Sequence, residues 1–178
     1  MCSNRLASPE ELVGCPIFPE GTKSLLSKHL TREIWEEFKD QKDDSGYSFK
    51  HAIFSGCKNT DSGIGVYAGS TDSYKKWATF FDPLIEDYHG HKKTDRHISD
   101  MDVSKLNCPP LPPEDAILIR STRIRVGRNL ADFPLGPALT KEQRNHVKEA
   151  VKEAVKHFTG DLEGKFYELG ELTEHDRK

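Results

Sequence analysis

Four arginines, Arg120, Arg123, Arg125 and Arg128, fall within the ten residues "RSTRIRVGRN". The first three interrupt a segment, "DAILIRSTRIRV", whose isoleucines, leucine and valine otherwise read as a strand. In extended chain Ser121, Arg123 and Arg125 share one face, while Leu118, Thr122, Ile124 and Val126 share the other. Two guanidiniums about 6 to 7 Å apart on one face repel each other unless an anion lies between them. A polyphosphate suits that gap, because a planar, permanently charged fork of donors matches phosphate oxygens. A solvated edge strand accounts for the same pattern, and both readings stand at this level.

A second candidate is the loop "NTDSGIGVYAGS". Gly63 and Gly65 let the backbone approach a ligand and permit positive φ, so that successive amides can converge on a carboxylate or similar anion. A plain hairpin or loop has the same composition, and without a third glycine there is no dinucleotide fingerprint. His89, His91, Asp95 and His97 have no spacing that gathers metal ligands, so no metal site is expected. Neither a Gly-rich phosphate loop of the P-loop type nor the protein-kinase motifs occur. Any phosphate chemistry here must use other machinery.

The elements that carry these residues can be read from periodicity. Leu26, Leu30, Ile34 and Phe38 recur at spacing four, with Leu25 and Trp35 beside them and Thr31 placed to cap a second helix. After the turn-rich "DDSGYSF" and the short "HAIFSGC" comes the glycine loop, then a helical stripe of Tyr74, Trp77, Phe81, Leu84 or Ile85, and Tyr88. That stripe reads as core, with Pro83 marking a kink or a fresh helix start. The polar "HGHKKTDRHISDMD" and the proline-rich "CPPLPPED" then mark a domain boundary. Beyond the arginine strand, Thr140 and Gln143 form a capping box ahead of Val147, Val151, Val155 and Phe158. "KFYEL" reads as another strand, and "TEHDRK" as a first helical turn with Thr173 as cap and Asp176 three residues on. Its apolar stripe does not arrive, which points to a sequence cut inside a domain; a frayed tail is the alternative.

Composition bounds the partners. The 178 residues carry a net charge of −3, so any anion site is local and nucleic acid is disfavoured as a partner. Apolar residues are 35% and charged residues 31%, a lean globular balance in which some normal core is missing. Cys2, Cys15, Cys57 and Cys108 are widely spaced and read as reduced thiols. With no apolar leader and no run near 18 apolar residues, a cytoplasmic protein without membrane contact is expected.

Together and in order, "DSGIGVYAG", "FDPLIEDYHGHKKTDRH" and "STRIRVGRNLADFPLGPALTKEQR" closely resemble the ATP:guanidino phosphotransferases, the phosphagen kinases. Within that family "SGIGVY" is closer to the arginine-specific members than to the creatine-specific ones. The resemblance implies an α+β protein: a small all-α N-terminal domain over 8–91, a linker over 92–115, and over 116–178 the truncated start of an antiparallel-sheet α/β catalytic domain. It further implies that Ser121, Thr122, Arg123, Ile124 and Arg125 bind ATP phosphates. Ser62, Gly63, Ile64, Gly65, Val66 and Tyr67 would receive the amino-acid end of arginine, and Asp61 would help the domains to close. The implied reaction is reversible transfer of the γ-phosphoryl group of ATP, with Mg2+, to a guanidinium, by a monomer or a homodimer. Taurocyamine or creatine as substrate, and a non-catalytic binding module, are the alternatives. Family members are longer than this chain. The remaining phosphate-binding arginines, the carboxylates that align the guanidinium and the reactive cysteine are expected past Lys178, and these 178 residues alone are expected to be inactive.

Overall fold

The computed structural model describes residues 7–107 and 109–175; Cys2, Cys108 and Asp176 lie outside them. The first apolar stripe forms two helices, α1 (Leu25–His29) and α2 (Arg32–Phe38). Thr31 accepts a hydrogen bond from the Ile34 amide at 3.3 Å, and Leu30 before it is extended, so the expected cap breaks the run. Ser48 caps α3 (Phe49–Lys58), which contains the whole of "HAIFSGC". Phe49, Ala52, Ile53, Gly56 and Cys57 form its buried face at helical spacing.

Ser70 and Ser73 form a capping box that starts α4 (Thr71–Lys76). Trp77 separates α4 from α5 (Ala78–His89), so the new helix starts before Pro83, which lies inside α5. Gly90, at φ 70°, closes α5 with its amide bonded to Glu86 O at 2.8 Å. The core is aromatic. The Phe49 ring lies 5.5 Å from Phe38, 5.3 Å from Trp77 and 5.2 Å from Phe80, with the last two pairs edge to face.

After residue 90 no described residue is buried. The expected strand over 115–126 is not there. Pro113 and the acidic pair Glu114 and Asp115 open a single helical turn, α6 (Pro113–Ala116). The Leu118 and Ile119 amides then turn back onto Asp115 O and Ala116 O, and 120–130 runs exposed without a ladder partner. A strand exists only by pairing, so apolar β-branched residues alone do not make one. "KFYEL" forms no strand either, and the sheet expected of the second domain is absent among the described residues, where an isolated Lys42–Ser48 bridge is the sole β pairing. The expected helix start at Thr173 is a turn at 174–175.

The capping-box helix forms as read. In α7 (Lys141–Val155) the Gln143 amide donates to Thr140 Oγ1 at 3.2 Å, and the Thr140 amide donates to Gln143 Oε1 at 2.9 Å. Lys148 and Lys152, one turn apart, both donate to Glu168 at 2.5 and 3.1 Å. Among the described residues one backbone bond ties this region to the first: the Leu135 amide donates to Gly69 O at 2.8 Å.

Candidate functional site

The glycine loop leaves the end of α3 through the Ser62 amide, which donates to Asn59 O at 3.0 Å. Its carbonyls then face α1. The Leu25 and Leu26 amides donate to the carbonyls of Gly63 and Ile64, both at 3.0 Å. Those two amides belong to the first helical turn, where no intrahelical acceptor exists, so the loop supplies what the helix lacks. Gly65, at φ 80°, crosses α3 at Gly56: a Cβ built on Gly65 would lie 3.0 Å from Gly56 Cα, and one built on Gly56 would lie 2.6 Å from Gly65 Cα. Only glycine fits at either position. The Tyr67 amide donates to Ala52 O at 2.9 Å and completes the attachment.

What this leaves is a row of donors. The amides of Gly63, Ile64, Gly65 and Val66 donate to no acceptor among the described residues, although Gly65 and Val66 are buried. Amides without an acceptor on a fixed backbone are chemically suited to an anionic group. Tyr67 follows them half-exposed. Asp61 and Gly63 are exposed, and Ser62 is half-buried.

The far end of the loop is anchored by a buried carboxylate. Asp43 accepts from the Ser45 amide and hydroxyl at 3.0 and 2.6 Å, the Tyr47 amide at 3.0 Å and Ser73 Oγ at 2.5 Å. Ser73 Oγ accepts in turn from the Gly69 and Ser70 amides at 3.0 and 3.2 Å. Burial pushes the Asp43 carboxyl up, but the hydrogen bonds from Ser45, Ser73, Tyr47 and Ser70 together hold it below the usual carboxylate range. Burial, reinforced by the Asp43 charge, pushes the Tyr47 hydroxyl up to about 12. The Tyr47 ring also occupies the space a side chain at Gly69 would need.

A cleft of about 400 Å³ lies beside the loop, lined by Ile64, Val66, Tyr67, Tyr74, Tyr88 and Leu135 among others. Tyr74 and Tyr88, read as core, are 42% and 58% exposed and face this cleft at the edge of their helical stripe. Leu135 carries no signal in the sequence, and for Gly56 the glycine of "SGC" is the one hint of a close approach. Ser121, Thr122, Arg123, Ile124 and Arg125 are all exposed and in irregular chain. They do not line this cleft, which Asn129 does. Arg120, Arg123 and Arg125 make no ion pair among the described residues, while Arg128 donates to Gly127 O at 2.6 Å.

His89, His91, Asp95 and His97 line a separate cavity of about 800 Å³. There Asp82 pairs with Lys93 at 2.8 Å, and Asp95 accepts from the Lys92 amide at 2.9 Å. No group of three or more metal-ligating side chains is gathered among the described residues. No helix among them is long and apolar enough to cross a membrane.

Residues 20–86 match the family described as ATP:guanido phosphotransferase, N-terminal domain. Curated relatives include the arginine kinase of Anthopleura japonica, 42% identical over 168 residues, covering 91% of this chain and 23% of the relative. That of Stichopus japonicus is 40% identical over 156 residues, covering 87% and 41%. The chain thus spans less than half the length of these relatives. Among solved structures, the duplicated taurocyamine kinase of Schistosoma mansoni with bound transition state analog components aligns with a TM-score of 0.70 at 28% identity, over 89% of this chain and 22% of that one. Lombricine kinase has the same fold, with a TM-score of 0.68 at 20% identity over 97% of this chain and 46% of that one. The chain belongs to the ATP:guanido phosphotransferase family, and its match to that family is through the N-terminal domain.

Proposed function

We propose that this chain is the guanidino-substrate-binding part of an arginine kinase, a phosphagen kinase that transfers the γ-phosphoryl group of ATP reversibly to the guanidinium of L-arginine. The observation that carries the reading is the row of four unpaired amides at Gly63, Ile64, Gly65 and Val66. Such a row binds a carboxylate, and arginine presents one at the end opposite its guanidinium, so holding it there directs the nucleophilic nitrogen outward. Ser62 and Tyr67 flank the amides, and Asp61 stands at the exposed edge for domain closure. Arginine is favoured over taurocyamine or creatine because both curated relatives described above are arginine kinases.

MgATP enters as a substrate. Arg123 and Arg125 are exposed guanidiniums without a carboxylate partner among the described residues, which fits phosphate oxygens, with Ser121, Thr122 and Ile124 as the backbone that carries them. Magnesium comes with the nucleotide, as it does where phosphates supply most of its ligands. In-line transfer depends on alignment and charge neutralisation more than on covalent help. The irregular course of 120–130 provides neither alone, so we assign the 178 residues binding without turnover. The division proposed is a substrate domain over 8–91, a linker over 92–115 and a catalytic segment over 116–178, acting in the cytosol as a monomer or a homodimer.

Calorimetric titration tests the reading. The chain is expected to bind L-arginine but not agmatine, which keeps the guanidinium and lacks the carboxylate. Equal binding of the two would sink it, and phosphoarginine formation by the purified chain would refute the assignment of binding without turnover.

A further inference from the structure

α1 has five residues, too few to be stable unaided. It is held at both ends. At its start, the Leu25 and Leu26 amides reach the loop carbonyls of Gly63 and Ile64, and the fully buried Leu26 side chain lies against the Gly56–Gly65 crossing. At its end, Lys28 Nζ lies 2.6 Å and His29 Nε2 2.8 Å from one oxygen of Asp87, which projects from α5. Two neighbouring basic residues in a last helical turn both converge on this carboxylate, which sits where the helix dipole alone offers no anchor. Asp87 accepts no other hydrogen bond among the described residues and lines neither cavity described above.

We propose that Asp87 is a positioning residue for the substrate loop: through Lys28 and His29 it fixes α1, and through the Leu25 and Leu26 amides α1 fixes the backbone whose own amides receive the substrate carboxylate. The proposal rests on the reading of residues 62–67 as the guanidino-substrate loop. Its logic is mechanical. The loop carbonyls at 63 and 64 point to α1, so the amides that alternate with them point away from it, and any rotation of α1 turns both sets together. Ser24, whose hydroxyl accepts from the Ser27 amide at 3.1 Å, keeps the helix itself formed. What Asp87 controls is therefore the placement of α1 rather than its existence.

The link can be read without activity. The Leu25 and Leu26 amides have no intrahelical acceptor, so their hydrogen exchange reports the α1–loop bonds directly. Asp87→Asn is expected to speed exchange at these two amides about tenfold while leaving exchange in α3 unchanged. It is also expected to weaken L-arginine binding about threefold to tenfold, with binding of MgATP unaffected. Asp87→Glu keeps a carboxylate and is expected to restore most of both effects. Asp82→Asn removes a carboxylate from the same helix, one paired with Lys93 instead, and is expected to change neither. Unchanged exchange in Asp87→Asn, an equal response in Asp82→Asn, or faster exchange with undiminished arginine affinity would each overturn the proposal. Failure of the unaltered chain to bind arginine, with the exchange response intact, would instead overturn the substrate reading and leave the α1–loop link standing.

Discussion

Residues 7–90 and 91–175 carry comparable apolar patterns and reach opposite outcomes. In the first region, helical spacing places Phe49, Ala52, Ile53, Gly56 and Cys57 on one buried face against Trp35, Phe38, Trp77 and Phe80. In the second, Ile117, Leu118, Ile124 and Val126 have the enrichment of a core strand and stand exposed, Ile124 at 90%. Val147, Val151 and Val155 repeat correctly along α7, and Val151 remains exposed. Residue pattern specifies a face; whether that face is covered depends on what lies opposite. The alignment to the taurocyamine kinase structure extends over 89% of the chain, and residues 7–90 are less than half of it. Much of the second region therefore follows a path that belongs to a larger fold in the matched protein.

The largest expected contrast is in proteolysis. Limited trypsin digestion should cut at Lys92, Lys93, Arg96, Lys105, Arg120, Arg123, Arg125 and Arg128 well before Lys28, Arg32 or Lys39, because cleavage follows local opening and 91–130 has no buried contact to break. Mass spectrometry should find an accumulating fragment that ends near residue 92. Equally rapid cutting in both regions would erase the comparison.

A pair of substitutions sharpens it. Phe49→Ala should cost about 3 to 5 kcal/mol in chemical denaturation, the usual loss for a buried phenylalanine. Ile124→Ala should cost nothing measurable, since its side chain already meets solvent. A smaller effect tests the anchor of the loop. Asp43→Ala leaves the Ser45, Tyr47 and Ser73 donors without their acceptor and should cost about 2 to 3 kcal/mol. The carboxyl of Asp43 is held below its ordinary value near 3.8, so the stability it adds is fully present above that value. That contribution is lost as pH falls through the lower, folded value, because the unfolded chain takes up the proton first. Denaturation midpoints measured from pH 7 down to pH 3 should show less acid destabilisation in Asp43→Ala than in the unaltered chain.

The sequence made the helices and their caps legible where a local signal is sufficient. Thr31 and the Thr140–Gln143 box are short-range hydrogen bonds, and they form as read. The glycine loop was visible as a candidate through Gly63 and Gly65, and the four unpaired amides there are backbone groups, which no residue type announces. The role of Gly56 is not legible locally because it is set by Gly65, nine residues on and across a helix–loop contact. The strand expected over 115–126 does not form for the complementary reason: its residues favour extended chain, but a ladder needs a second strand that no local pattern supplies.

The contact between Gly56 and Gly65 divides the loop into two parts with different evolutionary latitude. Asp61, Ser62 and Gly63 precede the crossing, where the space around Gly63 is open, so side chains here can change without meeting the helices as long as the Gly63 carbonyl keeps its bond to the Leu25 amide. From Gly65 onward the chain is committed, since any side chain at either glycine collides with the opposite backbone. Variation in the loop should accumulate on the near side of that pivot, and directed libraries that hold both glycines fixed should retain far more folded clones than libraries that do not.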